Sequence, residues 1–239
     1  MFRWLMIDTK YFFKGFKSIK GAGSPAIALG ASFIAIGALL KNLGFSIQES
    51  IFSTFLTYAL PGSLVMAESM LIGASLINIF LAVWLVNARL YPMTVALMPL
   101  LIHQNQPRWK YYLSCHFIAV SSWLIMKDNY ENIEKQNRID FWIGIGTGTW
   151  LVAIFSTIIG YIASDFLNKD ILVGLAIINP IYFICMMIGA MKTIQISLSV
   201  ILGTILGPVF YFVSPEWCIL FGGFIAGTLA YFIGEKYDN

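Results

Sequence analysis

"VWLVNARLYPMTVALMPLL", residues 83–101, has the apolar character of a membrane helix, yet Asn87, Arg89 and Pro92 fall near its middle. The hydrophobic segment around it runs over 74–102. As one straight helix it would be about 44 Å long at about 1.5 Å per residue. The hydrocarbon core of a bilayer is about 30 Å thick. The segment must therefore tilt, project or break. Pro92 supplies a break, because it cannot donate to the carbonyl of Ala88 and its ring crowds that turn. An opened backbone is tolerated at membrane depth only where protein or water covers it.

The rest of the chain agrees with a membrane setting. Of 239 residues, 59% are hydrophobic and 11% charged, and the mean hydropathy is +0.79. A soluble domain carries about 25% charge. The apolar runs are long and do not alternate, which argues against a β-barrel. The expected fold is all-α, a polytopic membrane bundle of about seven to eight hydrophobic segments, several broken by Pro or Gly. This leaves an inverted repeat open. The segments are 25–43, 50–73, 74–102, 111–126, 141–164, 171–191, 193–213 and 217–234. The fourth is too short to span comfortably and reads as re-entrant. Residues 25–234 form the transmembrane unit, and 235–239 a polar tail.

Residues 1–24 have no apolar run long enough for a cleavable signal. Arg3, Lys10, Lys14, Lys17 and Lys20 alternate with Phe2, Trp4, Tyr11, Phe12, Phe13 and Phe16. That suits an interfacial segment, or a basic tail that only sets topology. With the N-terminus inside and eight crossings, Lys127, Lys135, Arg138, Lys192 and Lys236 join those basic residues on the inner side. Lys41, Arg108, Lys110 and Lys169 fall outside. The excess places both termini in the cytoplasm, although Arg108 and Lys110 fit poorly.

Other interruptions accompany Pro92. Pro61-Gly62 opens the second segment at Thr57, Asn179-Pro180 opens the sixth, and Pro208 lies in the seventh, where it reads as a packing kink. Polar residues gather beside the first breaks: Ser63, Glu68, Asn78, Asn87 and Arg89. A charge at the bilayer centre costs about 2.5–3.5 kcal/mol on insertion scales. Glu68 and Arg89 either pair with each other or meet charged groups of a solute. Arg89 also has the option of snorkelling to the headgroups, and Glu68 of staying protonated.

Small-xxx-small pairs occur at Gly144/Gly148, Gly203/Gly207 and Gly223/Gly227, a spacing that lets membrane helices approach closely. Cys115, Cys185 and Cys218 sit in apolar surroundings without metal spacing and read as small buried hydrophobes. His103 and His116 stand near segment ends, thirteen positions apart, and read as boundary residues. No catalytic, nucleotide, cofactor or metal motif is present, so the chain reads as a non-enzyme without ATP machinery. Nothing points to nucleic acid.

The stretches "ASFIAIGALLKNLGFSIQES" and "PGSLVMAESMLIGASLINIFLAVWLVNARLYPMTVALMPLL" resemble the AzlC family, large subunits of bacterial branched-chain amino-acid exporters. The matching features are the turn Gly44-Phe45-Ser46, the Pro61-Gly62 break, Asn87-Ala88-Arg89, Ala96-Leu97-Met98-Pro99 and "FWIGIGTGTWLVAIFSTIIGYI" with Trp150. The likeness extends over about 15–234 and is most specific at 59–101. Two features depart from the family: Ser63-Leu64-Val65 replaces a glutamine, and "FIAVSSW" (117–123) stands where an acidic pair is common. The resemblance implies a bacterial inner-membrane location and a small AzlD-type multi-span partner.

The expected activity is secondary export of branched-chain or other apolar amino acids. Pro61, Gly62, Ser63, Asn87, Arg89 and Asn179 are the expected solute-binding residues, and Glu68 the proton-coupling or ammonium-binding one. Leu60, Val65, Trp84 and Phe183 are expected to house the solute side chain. A non-transporting membrane protein, or a transporter of another small solute, is the alternative.

Overall fold

The computed structural model describes residues 7–20, 25–71, 73–88, 90–104, 106–166, 168, 170, 171, 173, 174, 177, 181, 184, 185, 187, 188, 191, 193–213 and 218–237. Arg89, Asn179 and Phe183 lie outside the described residues, as do the side chains of Glu68 and Cys218. The elements are α1 (Thr9–Ser18), α2 (Pro25–Asn42), α3 (Ile47–Leu56), α4 (Leu60–Leu71), α5 (Leu76–Asn87), α6 (Leu90–Leu101), α7 (Arg108–Ser114), α8 (Val120–Asn129), α9 (Arg138–Ala163), α10 (Ile194–Val213) and α11 (Cys218–Tyr237). A 3-10 turn, Cys115–Phe117, follows α7. There is no strand among the described residues.

Among the described residues, three helices are long and apolar enough to cross a membrane by themselves: Pro25–Asn42, Lys135–Ala163 and Ile194–Val213. The expected second, third and fourth segments are different. Each is a pair of short helices meeting at a break: α3 and α4 at 57–59, α5 and α6 between the end of α5 at Asn87 and the start of α6 at Leu90, and α7 with its 3-10 turn and α8 at 118–119. At 10 or 12 residues, the helices α3 to α6 are about 15–18 Å long, roughly half the hydrocarbon core. The axes of α5 and α6 differ by 45°. Pro208 leaves α10 continuous.

One turn design is used twice. Gly44 (φ 86°) ends α2 and Gly73 (φ 68°) ends α4. Phe45 N–H reaches Leu40 O at 3.1 Å and Gly44 N–H reaches Lys41 O at 2.9 Å. Ala74 N–H reaches Ser69 O at 2.9 Å and Gly73 N–H reaches Met70 O at 3.1 Å. Both are Schellman closures, which need the left-handed conformation that glycine adopts without strain. A serine follows each as the next N-cap: Ser46 accepts from Glu49 N–H at 3.3 Å, and Ser75 from Asn78 N–H at 3.3 Å. The Gly-x-Ser signature thus folds as helix stop, turn and helix start.

The helix α9 is the mast of the fold. Its 26 residues give it a length of about 39 Å. α2 crosses it where a Cβ on Gly37 would strike the carbonyl of Thr157, and one on Gly160 would strike that of Ile34. α1 crosses it lower down by the same device, Gly15 against the carbonyl of Phe141 and Gly144 against that of Phe12. Gly148 also faces α1, through Phe16 and Ile19, while Gly146 receives Phe117 from the other side. At about 100° per residue, positions 144 and 148 share a face and 146 lies opposite.

Two clusters form the core. One joins Trp142, Phe141, Ile139 and Ile145 of α9 to Leu97, Leu101, Ile125 and Met126. The other joins Leu29, Phe33, Ile36 and Leu40 of α2 to Tyr58, Ala119 and Ala153. α10 and α11 pack mainly on each other, with Gly222 against the backbone of Gly207. The expected pair Gly223/Gly227 and the position Gly203 instead face open space among the described residues. Cys115 and Cys185 are exposed, contrary to expectation.

Lys110 overturns another expectation. Assigned by sequence to an outer loop, it is 1% exposed and bonds Asp140 Oδ1, itself 2% exposed, at 2.7 Å.

The helix crossings can be tested directly. Gly160→Ala and Gly37→Ala each force backbone apart and should lower the thermal midpoint in detergent, by overpacking worth about 1–3 kcal/mol or more. Gly203→Ala should leave it unchanged.

Candidate functional site

The three breaks converge. Tyr58, Ala59, Leu60 and Pro61 from the first, Leu90 from the second, and Ile118, Ala119, Val120 and Ser121 from the third line one cavity against Leu29 and Phe33 of α2. The helix starts α4, α6 and α8 therefore all reach it. The first N–H groups of a helix have no intrahelical acceptor, and a helix N-terminus carries the positive end of the macrodipole. The cavity volume is about 40 Å³. That is room for a water molecule, whereas small-molecule pockets span about 300–1,000 Å³.

Each break closes most of its own backbone groups. The Thr57 carbonyl, which loses its helical donor at Pro61, accepts from Ala59 N–H at 2.6 Å and from Ser63 Oγ at 3.3 Å. The Ala88 carbonyl, denied a donor by Pro92, accepts from Tyr91 N–H at 3.0 Å. Asn87 does not serve these groups. Asn87 is the last residue of α5, and its amide lies on Gly62, where a Cβ would come within 2.6 Å of Nδ2. Its Oδ1 is buried and accepts no hydrogen bond.

The third break has no proline. Ser122 makes it: its Oγ donates to Phe117 O at 2.6 Å and accepts from Ala119 N–H at 3.1 Å. This is the departing "FIAVSSW" stretch, and it places Ser121, 1% exposed, on the cavity wall.

Tyr58 is the other residue that sequence reasoning missed. It is 4% exposed, faces Thr149 of α9, and its hydroxyl makes no sound hydrogen bond. Beside it stands an aromatic group from all the surrounding elements. His116 lies 6.3 Å from the Tyr58 ring, 5.8 Å from Phe117 and 6.0 Å from Trp150. Trp150 packs on Phe55 at 4.7 Å and donates its Nε1–H to the Phe55 carbonyl at 3.3 Å. The signal available in sequence was position alone: Tyr58 falls three residues before Pro61.

Of the expected site residues, Pro61, Gly62, Ser63 and Asn87 are brought together. Arg89 adjoins Leu90 in sequence but lies outside the described residues, as does Asn179. Glu68 belongs to α4, and its side chain is outside the described atoms. Asn78 sits exposed at the start of α5. Of the residues expected to house a solute side chain, Leu60 lines the cavity, whereas Trp84 is 63% exposed and does not. No group of three metal-ligating side chains occurs among the described residues.

Comparison with curated proteins and with solved structures returns no match. The family model described as AzlC protein matches residues 25–167, which covers α2 to α9 and thus the mast, the three breaks and the cavity. With more than half of its length matched, and with apolar helices able to span a bilayer, the chain is an integral membrane protein that belongs to the AzlC family.

Proposed function

We propose that this protein is a secondary transporter that exports branched-chain or other apolar amino acids from a bacterial cell. The observation that carries this reading is the meeting of three helix breaks at one cavity lined by Tyr58, whose buried hydroxyl faces Thr149, with Asn87 Oδ1 buried and unbonded on Gly62, next to Pro61 of the lining. Discontinuous helices with their N-termini at a solute are a recurrent transporter design. Family membership is consistent with a role in membrane transport.

A free amino acid presents a carboxylate and an ammonium. The starts of α4, α6 and α8 suit the carboxylate, with Arg89 beside them in sequence as a fixed cation. Asn87 Oδ1 is an acceptor suited to the ammonium, with Glu68 as a second acceptor and as a carrier of a coupling proton. Leu29, Phe33, Leu60 and Ile118 offer an apolar wall for a branched side chain. The 40 Å³ cavity fits this reading as a closed state, which opens when a half-helix moves.

In the same proposal the chain is no enzyme, its seven or eight segments lie in the inner membrane, and both termini face the cytoplasm. A small AzlD-type subunit is the proposed partner. The small cavity also favours a second reading, a packed and non-transporting membrane protein.

Vesicles loaded with leucine or valine test export. Arg89→Ala should lower the rate by about tenfold or more, since a charge-assisted hydrogen bond is worth about 1.5–3 kcal/mol. Parental export by a normally inserted variant removes Arg89 from the site. Tyr58→Phe deletes a buried hydroxyl without a partner, so the thermal midpoint should hold or rise, while export falls. A variant that loses stability and keeps export would make Tyr58 a structural residue. Cysteine at Ser63 or Ala88, in a background with Cys115, Cys185 and Cys218 replaced, should react with a water-soluble thiol reagent, and leucine should slow the reaction. No reaction at either position supports the packed reading.

A further inference from the structure

The helix α1 presents two different faces. The inner one is built for the mast. Gly15 is buried where a Cβ would strike the Phe141 carbonyl, and the Phe16 ring reaches Gly148. Tyr11 and Phe12 pack against the core around Trp142. Of the four aromatic residues of α1, three are thus used against the protein. An amphipathic helix that lies on a membrane by its apolar face would turn those rings to lipid. Here they are already covered.

The outer face carries Lys10, Phe13, Lys14 and Lys17, all exposed. Steps of three and four residues gather them into one stripe. Lys20, also exposed, follows the end of the helix. Phe13 is 57% exposed in the middle of these charges. None of the four lysines pairs with a carboxylate among the described residues, and Lys10 lies over the Tyr11 ring at 5.7 Å. Asp8 is the sole acid in residues 1–24, and its Oδ1 accepts from the Lys10 backbone N–H at 2.9 Å as the helix cap.

The level of this stripe follows from the mast. α1 meets α9 at Phe141, Gly144 and Gly148, in its N-terminal half. α9 is longer than the hydrocarbon core is thick, and the polar stretch 127–140 enters it at this end. α1 therefore lies near the headgroups. The acids of that stretch do not neutralise it: Glu131 bonds Tyr130, Glu134 bonds Gln136 and Asn137, and Asp128 is exposed without an ion pair to α1. At the opposite end of α9 the cation of α2, Lys41, is held by Asp165 at 2.7 Å. The unmatched positive charge is on α1.

We propose that the outer face of α1 binds phospholipids whose headgroups carry net negative charge. The lysine ammoniums meet the headgroup phosphates, and lysine stems are long enough to reach them from a helix at the boundary. The Phe13 ring enters the upper acyl region between them. A soluble polyanion would match the lysines and leave Phe13 in water, so the lipid is the better fit. Since α1 rests on α9 through backbone contacts at Gly15 and Gly144, lipids held on its outer face fix the depth of the mast in the bilayer. This goes beyond the solute reading and does not depend on it.

The test uses the full chain in vesicles of mixed phosphatidylglycerol and phosphatidylcholine. A fluorophore on Thr9→Cys, an exposed position one turn before Phe13, reports on the lipids beside α1 in a background with Cys115, Cys185 and Cys218 replaced. A nitroxide just below the headgroup is carried by one lipid or the other at equal mole fraction. Quenching should be several-fold stronger with phosphatidylglycerol as the carrier, and the preference should shrink as salt is raised. It should vanish in K10Q/K14Q/K17Q/K20Q and be intermediate in K14Q/K17Q. Phe13→Ser should weaken quenching by both carriers and keep the preference. All five positions are exposed, so the thermal midpoint in detergent should not move. Equal quenching by the two carriers in the parent overturns the proposal, and so does a preference that survives in the quadruple variant. A face without lipid preference that binds a fluorescent ATP analogue, and loses it in the quadruple variant, belongs to a soluble anion and overturns the proposal as well.

Discussion

At the crossing of α2 and α9, Gly37 and Gly160 let each backbone rest against a carbonyl of the other helix. Lipid is as apolar as a leucine side chain, so two helices in a membrane gain little from hiding apolar surface from each other. What holds them is the number of atoms at van der Waals distance, and glycine at the crossing raises that number by letting the axes close. A second glycine crossing, Gly15 with Gly144, adds α1 to the same mast. The broken segments lean on this support. Thr54 Oγ1 bonds Thr157 Oγ1 at 3.0 Å, Tyr58 faces Thr149, and Phe55 packs on Trp150. Each of these ties a half-helix junction to a continuous helix.

That support makes the breaks tolerable. An unpaired backbone group in hydrocarbon costs several kcal/mol, and three breaks would multiply that cost. The structure meets it with short-range partners: Ser63 for Thr57, Tyr91 N–H for Ala88, and Ser122 for Phe117 and Ala119. These are bonds within a few residues of each break. The buried side-chain atoms left without a hydrogen bond among the described residues are Ser32 Oγ, Tyr58 Oη and Asn87 Oδ1.

Much of this was legible in the sequence, for reasons that have a physical form. A proline bars the bond to the residue four before it, so Pro92 and Pro61 marked breaks at Ala88 and Thr57, and the helices do end there. Gly44-Phe45-Ser46 marked a turn, because only glycine closes the helix that way without strain. The break at Ile118–Ala119 carried no proline, and only the shortness of the fourth segment hinted at it. Its cause is one serine that bonds backward to the backbone of Phe117 and Ala119, a signal no stronger than any Ser-Ser pair. The glycine spacing at 144 and 148 was informative and that at 223 and 227 was not, because spacing alone does not say which face of a helix meets a neighbour. Lys110 was misread for a related reason. A lysine beside an arginine and a tryptophan in a polar stretch looks like a loop charge until Asp140, thirty residues away in the chain, is found against it.

The rigid and the movable parts of the molecule can then be told apart. α2 and α9 cannot separate without giving up the close backbone contacts at Gly37 and Gly160, and they cannot close further because their backbones already touch. A cavity of about 40 Å³ must grow severalfold to hold an amino acid. The growth has to come from elements whose contacts with the mast run through single side chains. α4 and α5 pack on each other, with Asn87 seated on Gly62, and the third break meets the first through the rings of His116 and Tyr58. None of these half-helices is locked to the mast by a glycine crossing. Under the transport reading, the half-helices are therefore the gates and the α2–α9 crossing is the frame they swing on. The short, broken form of the middle segments is what lets one small cavity open without unpacking the bundle.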